Sequence, residues 1–373
     1  MIQSIEVIRL LLPIARMLKL SRGVASDPKA GAPHILVKVT DENGIVGWGE
    51  ARPSPRWSYE TPETVVTTIR IYLVPALLGK DEFDLDGIHK IMDTVIAPGV
   101  QIGQPIAKSA IDIALHDLAG KKRKTSLSAM LGGDGTTGVK LGYVVSATTI
   151  DEAVAQTAEG LEQGYHGFKV KTGIRPEIDL EMVQEISKVA GGKYLWIDAN
   201  QGWQFDEAVR FSTAMANLGV HVLEQPLAAN DITGYRDLVQ RSGIPIALDE
   251  SIYSPRDLVQ FVKLKAINGL VIKICRVGGI YWAKKMAAMA RDEGLLLLGS
   301  GLTEGRISLT SSVHVFSSFK MDVPVDLNGP QFLRDDMVAG PFEFPGREVH
   351  PPMGPGLGIE PDPEKIERYR VED

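Results

Sequence analysis

Three acidic residues, Asp198, Glu224 and Asp249, recur 26 and 25 residues apart, and lysines bracket them at Lys169, Lys171 and Lys273. Three carboxylates brought together repel one another unless a cation sits among them. With no Cys or His in the set, all-oxygen ligation suits Mg²⁺, with Mn²⁺ as the alternative. An ammonium crowded by other cations is disfavoured, so a lysine there works as a base near neutral pH. A metal that holds a substrate carboxylate, with lysines reaching the α-carbon, makes a proton-abstraction site. The metal's charge stabilises the enediolate and makes a weakly acidic carbon proton removable. Asn200, two residues past Asp198, is read as a side chain that orients a ligand, and Glu250 as a partner that orients the metal ligands.

For these groups to meet, their spacing must be the period of the fold. Short apolar runs begin at Leu141, Phe168, Tyr194, His221, Ile244, Gly269, Leu295 and Val323, separated by 27, 26, 27, 23, 25, 26 and 28 residues. Helix-length inserts lie between them. Phe211, Met215 and Leu218 fall at helical spacing, and Ser254-Pro255-Arg256-Asp257 reads as an N-cap followed by a first-turn proline. Eight strand-like runs with intervening helices predict a parallel (β/α)₈ TIM-type barrel, or a modified (β/α)₇β form, since the last runs are weaker. In such a barrel the active site lies at the C-terminal ends of the strands, where the six residues above fall. Residues two apart on a strand share a face, so Lys169 and Lys171 point together, as do Asp198 and Asn200.

Residues 1–125 read differently: a strand at 35–39, a turn at 41–44, a returning strand at 45–50, then helical patterns near 61–78 and 105–122. This is an α+β capping domain, ahead of a barrel at 126–340. A Gly/Pro-rich segment, 341–373, is expected to return to the capping domain.

The ordered set Lys169-Val-Lys171, Asp198-Ala-Asn200, Glu224-Gln-Pro226, Asp249-Glu250-Ser251 and Lys273-Ile-Cys-Arg276-Val-Gly278-Gly279 resembles the enolase superfamily, muconate-lactonizing-enzyme subgroup. Gly47-Trp-Gly49-Glu50-Ala51 and Ala110–Lys121 carry the resemblance into the first domain. The resemblance implies that Asp198, Glu224 and Asp249 hold the metal and that Lys171 is the base on one face. It gives Lys169 the task of polarising the carboxylate and tuning Lys171, and puts Lys273 on the opposite face. Two opposed lysines permit 1,1-proton transfer, that is racemisation or epimerisation; the same frame serves cycloisomerisation and syn dehydration. It further implies that two loops, Ser21–Lys29 and Pro53–Tyr59, close over the site, and that the chain forms symmetric homo-oligomers. Residues 49–56 resemble those of epimerases of amino-acid derivatives, including dipeptide epimerases, more than those of muconate cycloisomerases. The dipeptide epimerases carry Asp-x-Asp on strand eight to grip a substrate ammonium, whereas this chain has Asp326-Leu-Asn328. Glu304 matches a glutamate near the substrate in cycloisomerases, or else is a rim salt-bridge residue.

The chain has 373 residues and a formal net charge of −7, which argues against nucleic acid as a partner and leaves a small carboxylate. Its single cysteine, Cys275, excludes an internal disulfide framework and thiolate metal clusters. No apolar stretch has the length of a membrane span and the N-terminus has no signal-like pattern, so a cytoplasmic enzyme is expected. Gly133-Asp-Gly135-Thr-Thr-Gly138 fits a dinucleotide motif by spacing, but it precedes a strand instead of following one. Lys121–Lys124 reads as a solvated helix end, and His166 and His314 as packing or rim residues. Two other readings of the same residues are a Schiff-base aldolase using one of the three lysines, which needs no metal, and a non-catalytic binding protein.

Overall fold

The computed structural model describes residues 1–99, 101–341 and 347–372. The first domain opens with strands β1 (Ile2–Leu12), β2 (Leu18–Leu20), β3 (Gly23–Ser26), β4 (Ala32–Asp41) and β5 (Val46–Ala51). β1, β4 and β5 form an antiparallel sheet in the order β1-β4-β5, while β2 and β3 form a separate hairpin. Helices α1 (Pro62–Thr67), α2 (Val74–Leu77), α3 (Leu85–Val95) and α4 (Pro105–Arg123) follow. α4 is buried along most of its length and packs against β5. That contact requires glycine: a Cβ on Gly47 or Gly49 would sit 2.1 Å from Ala114 O or 1.9 Å from Ala110 O.

After α5 (Leu127–Met130) and a short strand β6 (Val139–Lys140), the barrel strands are β7 (Gly142–Val145), β8 (Gly167–Lys171), β9 (Tyr194–Asp198), β10 (Val222–Glu224), β11 (Ile246–Leu248), β12 (Gly269–Ile272) and β13 (Leu296–Gly299). They form one seven-stranded sheet in sequential order, every neighbouring pair parallel. Between them lie α6 (Ile150–Glu162), α7 (Pro176–Ala190), α8 (Phe205–Met215), α9 (Ile232–Arg241), α10 (Pro255–Lys263) and α11 (Ile280–Asp292). Ser254 caps α10 as its sequence predicts, its hydroxyl accepting Asp257 N–H at 3.2 Å.

The eighth run is not a strand of its own. Backbone bridges at Val325 to Leu141 and at Asp326 to Ser300, both parallel, stitch β13 back towards β7 and close the ring. Pro324 precedes these two residues without an N–H to donate, and a helical turn begins at Gly329, so pairing goes no further. The barrel is thus of the modified kind, completed by α12 (Arg306–Ser318) and α13 (Gly329–Phe332).

β14 (Glu348–Val349) pairs with β6, and α14 (Pro363–Tyr369) leads to a bridge between Arg370 and Leu10 of β1. Within the returning segment, residues 342–346 and Asp373 lie outside the described residues. Lys121 and Lys122 are not simply solvated. Lys121 pairs with Asp117 and Glu360, and Lys122 with Asp41 and Glu82, tying the end of α4 to its own domain and to the tail. No described helix is long and apolar enough to cross a membrane.

Candidate active site

The barrel interior is built in layers by the two-residue period of its strands. Trp196, Val222, Ala247, Val271 and Leu298 form an apolar floor. Two residues further along each strand stand Asp198, Glu224, Asp249, Lys273 and Ser300, all buried. Cross-strand register aligns them, with Lys171 opposite Asp198 and Asp198 opposite Glu224. The sequence-predicted residues are therefore brought to one end of one barrel.

Their contacts form an ion-pair network. Lys171 Nζ donates to Asp198 Oδ2 at 2.6 Å and to Asn200 Oδ1 at 3.2 Å. Lys273 Nζ donates to Asp249 Oδ2 at 2.5 Å and lies 4.2 Å from the centre of the Trp57 ring. Lys169 sits deeper, 4.2 Å from the Trp196 ring centre, with Glu224 at 2.9 Å and Asp198 and Asp326 both at 3.2 Å. Burial opposes its charge, but Glu224, Asp198 and Asp326 overcome that and hold its pKa well above the ordinary lysine value. Lys169 is therefore held as a cation. For Asp198 burial again works against ionisation, and Lys171 and Lys169 outweigh it, keeping the carboxyl below its usual range. Burial and the Asp198 charge push both Glu224 and Glu250 upward.

The supporting residues fall into place around this network. Asn200 receives Lys171 on its carbonyl and donates to Glu250 Oε1 at 3.1 Å, linking the two. It holds φ at 42°, as does Gln225, the residue after Glu224. Such left-handed backbone at non-glycine positions stores strain, and here it clusters at the ends of β9 and β10. Asp326 is the counter-charge of Lys169 and accepts from Ser300 at 3.0 Å and Asn328 at 2.7 Å. Glu304 turns back on its own loop, accepting Leu302 N–H at 2.6 Å and the Cys275 thiol at 3.4 Å.

Sequence reasoning gave no role to Arg276, Ser300, Arg52, Trp57 or Trp196. Arg276 contacts Asp249 and the carbonyl of Val271. Its place three residues after Lys273 was the available signal, and for Ser300 it was the two-residue step from Leu298. Arg52 and Trp57 come from the capping domain, and only the tertiary fold brings them here.

The residues fit a hard divalent cation in kind. The donors are all oxygens; Glu250 Oε2 is buried without a hydrogen-bond partner, while Glu224 Oε2 and Asp249 Oδ1 are met only by the ion pairs with Lys169 and Arg276. The carboxylates stand as lysine and arginine partners, however, and among the described residues no three His, Cys, Asp or Glu side chains are already arranged as a ligand set.

A small cavity of about 30 Å³ lies above this layer. Lys171, Lys273, Asp326 and Asn328 border it from the barrel; Leu18, Leu20, Ala25, Ser26, Arg52, Ser54 and Trp57 border it from the capping domain. The β2–β3 hairpin docks on the barrel through Ser21 Oγ, which donates to Asn200 O at 2.5 Å, and Arg22, which donates to Gln201 at 2.6 Å.

Comparison with known proteins agrees with this layout. Residues 11–132 match the mandelate racemase/muconate lactonizing enzyme N-terminal domain, and residues 152–365 the enolase C-terminal domain-like family. The chain is similar to a chloromuconate cycloisomerase of Cupriavidus necator, 31% identical over 90% of this chain and 91% of that one. It is 32% identical to an L-Ala-D/L-Glu epimerase of Bacillus subtilis over 88% of this chain and 89% of the relative. The crystal structure of an N-succinyl Arg/Lys racemase from Bacillus cereus superposes with a TM-score of 0.92 at 28% identity, over 100% of this chain and 98% of that one.

Proposed function

This chain belongs to the mandelate racemase/muconate lactonizing enzyme family, and from that premise we propose that it isomerises a small carboxylate by Mg²⁺-dependent removal of the α-proton. The observation that carries the reading is that Lys171 and Lys273 border one cavity while each has its own carboxylate partner. Asp198, Glu224 and Asp249 would hold the cation, with Mn²⁺ an alternative. When bound, the ion supplies positive charge to the substrate carboxylate and so stabilises the enediolate.

The chain's own groups do the rest. Lys171 takes the α-proton from one face and Lys273 returns one to the other, which inverts the centre. Lys169, fixed as a cation, polarises the carboxylate and sets the field at Lys171. Asn200 and Glu250 hold Lys171 in position. Trp57 seats Lys273 from above and excludes water.

Racemisation or epimerisation of an amino-acid derivative is the favoured reaction. Asp326 is already neutralised by Lys169, which disfavours a free substrate ammonium at that place and favours an N-acylated one. Cycloisomerisation on the same frame is the second reading, supported by the likeness to the chloromuconate cycloisomerase. A Schiff base on lysine would need no metal, and the carboxylates gathered around the three lysines speak against it.

The test is incubation in D₂O with acylated amino acids, dipeptides and muconate-like acids. α-Deuterium with stereochemical scrambling is expected, lost on chelation and restored by Mg²⁺. Lys171→Ala and Lys273→Ala should each lower racemisation by about 10²–10⁴-fold while circular dichroism is unchanged. Full activity after chelation, or wild-type rates in both variants, would rule the mechanism out.

A further inference from the structure

The peptide that joins Asn200 to Gln201 is held from two sides. Both residues carry left-handed backbone, with φ at 42° and 65°, at consecutive non-glycine positions. Such backbone persists only where its surroundings fix it. From the barrel, Gln225 O accepts the N–H of this peptide, that of Gln201, at 2.7 Å. From the capping domain, Ser21 Oγ donates to its carbonyl, Asn200 O, at 2.5 Å. Ser21 lies in the turn between β2 and β3. The barrel supplies one half of this clamp and the hairpin the other.

Ser21 reaches the carbonyl through a slot between two loops. Gly173 follows Lys171 by two residues, and Gly202 follows Asn200 by two. A Cβ on Gly202 would lie 2.8 Å from Ser21 Cβ and 2.7 Å from Gly173 Cα, so the close approach of the three segments requires glycine there.

Asn200 is where the clamp meets the chemistry. Its side-chain carbonyl accepts from Lys171 Nζ at 3.2 Å, its side-chain amide donates to Glu250 Oε1 at 3.1 Å, and its backbone N–H donates to Asp198 Oδ1 at 2.9 Å. Releasing the Asn200 carbonyl lets the residue leave its strained conformation and carries the side chain away from Lys171. Lys273 is held by other means, by Asp249 at 2.5 Å and by the Trp57 ring. Among the described residues no hydrogen bond joins the hairpin to Lys273, Asp249 or Trp57.

We propose that Ser21 is a positioning residue for Lys171: with the hairpin seated, its hydroxyl holds Asn200 in the strained conformation that aligns the amide with the amine. The capping domain thereby prepares the base on one face of the substrate and not the one on the other. This rests on the α-proton reading above, in which Lys171 and Lys273 act on opposite faces.

Two measurements on the full chain test this. The first needs no substrate: trace labelling with acetic anhydride, read by mass spectrometry at Lys171 and Lys273. In Ser21→Ala the ratio of Lys171 to Lys273 labelling should rise several-fold, because only the first amine loses a held acceptor. Arg22→Ala loosens the same hairpin through Gln201 and leaves the bond to Asn200 O in place, so its ratio should match wild type. An unchanged ratio in Ser21→Ala, or an equal rise in Arg22→Ala, overturns the proposal.

The second is α-proton exchange in D₂O with Mg²⁺ and the two enantiomers of N-acetylmethionine as probes. Lys273→Ala leaves exchange by Lys171 alone, and Lys171→Ala leaves exchange by Lys273 alone. Adding Ser21→Ala should slow the first by about tenfold, the value of one hydrogen bond, and leave the second unchanged. Equal losses on both faces mean a general loosening and overturn the proposal. No exchange by wild type with these or the other acids named above counts against the α-proton reading. The labelling ratio then decides the coupling of Ser21 to Lys171 by itself.

Discussion

Lys169 is one ammonium against three buried carboxylates, and that imbalance makes it the keystone of the site. Replacing it with methionine keeps volume and removes charge. Glu224 and Asp326 would then lose their ammonium partner, and Asp198 would keep only Lys171. Breaking a buried pair by deleting one partner costs about 3–5 kcal/mol. Lys169→Met should therefore lose roughly that much in urea unfolding without metal, and Mg²⁺ should narrow the gap. A variant as stable as wild type in chelator would show that the carboxylates do not need the ammonium. Much of this constellation was legible in the chain. The 26- and 25-residue steps from Asp198 to Glu224 to Asp249 equal the repeat of the fold, and a two-residue step sets Lys169 and Lys171 on one face. What was not legible is depth. Spacing does not tell that Lys169 lies one layer below Lys171 on Trp196, or that Asp326 is its partner. Both depend on a ring of strands closing, which is a property of no single segment.

At the scale of elements, the segment between Glu50 and Glu60 is pinned at both ends by a buried carboxylate set into a helix N-terminus. Glu50 takes the first N–H groups of α12, and Glu60 takes Ile106 and Ala107 N–H of α4 at 2.7 and 3.0 Å. Between these anchors runs the loop that carries Arg52 and Trp57. A third carboxylate does the same on the other side of the site. Asp112 of α4 accepts Ile280 N–H at the start of α11, while His89 Nε2 lies 2.8 Å from its other oxygen. This sets the loop from Lys273 to Gly279, which enters α11 through Gly279 at φ 120°. A Cβ there would lie 2.3 Å from Asp112. Gly279→Ala should thus destabilise by more than the ~1 kcal/mol of an ordinary glycine effect, since it meets both strain and a clash. Asp112→Ala should cost about 1–3 kcal/mol through the orphaned donors, and slow turnover more than it weakens substrate binding. An Asp112→Ala variant with wild-type kcat would deny any link between α4 and the lysine loop. Sequence periodicity anticipated α4 and seven of the eight barrel runs. It missed α3 and the β2–β3 hairpin, whose strands are too short and mixed for period alone. The eighth run was apolar enough to read as a strand, but Pro324 before it and the helical turn that starts at Gly329 left it only two bridging residues.

At the scale of the whole molecule, the two domains enclose the site only while their seam holds, and the seam carries ionisable groups that fold far from their ordinary pKa. Burial lifts Glu50 from 4.5 to about 8 and Glu60 from 4.5 to about 7. In each case the folded chain keeps a proton that the unfolded chain has already released. The stability they contribute is complete below pH 4.5 and is lost as pH rises through their folded values. Facing Glu50 across the seam are Glu304 and Asp336, which add to the upward push, and His34, whose Nε2 lies 3.5 Å from it. His34 runs the other way. Burial drops it from 6.5 to about 3, so its stabilising share is present above pH 6.5 and is lost on acidification. The opposing slopes overlap below pH 6.5 and separate above it. Between pH 6.5 and 8 the glutamates act alone within this cluster, and there the wild type should lose stability relative to Glu50→Gln by about 1–3 kcal/mol. Glu60→Gln should give a parallel but smaller change, complete by about pH 7. Denaturant melts of the three proteins at half-unit pH steps read this directly as a difference of slopes. That difference is independent of the fixed cost of placing an amide where a carboxyl accepted two N–H groups. Equal slopes for wild type and Glu50→Gln across that window would mean that the seam carboxyl ionises as freely in the folded protein as in the unfolded chain.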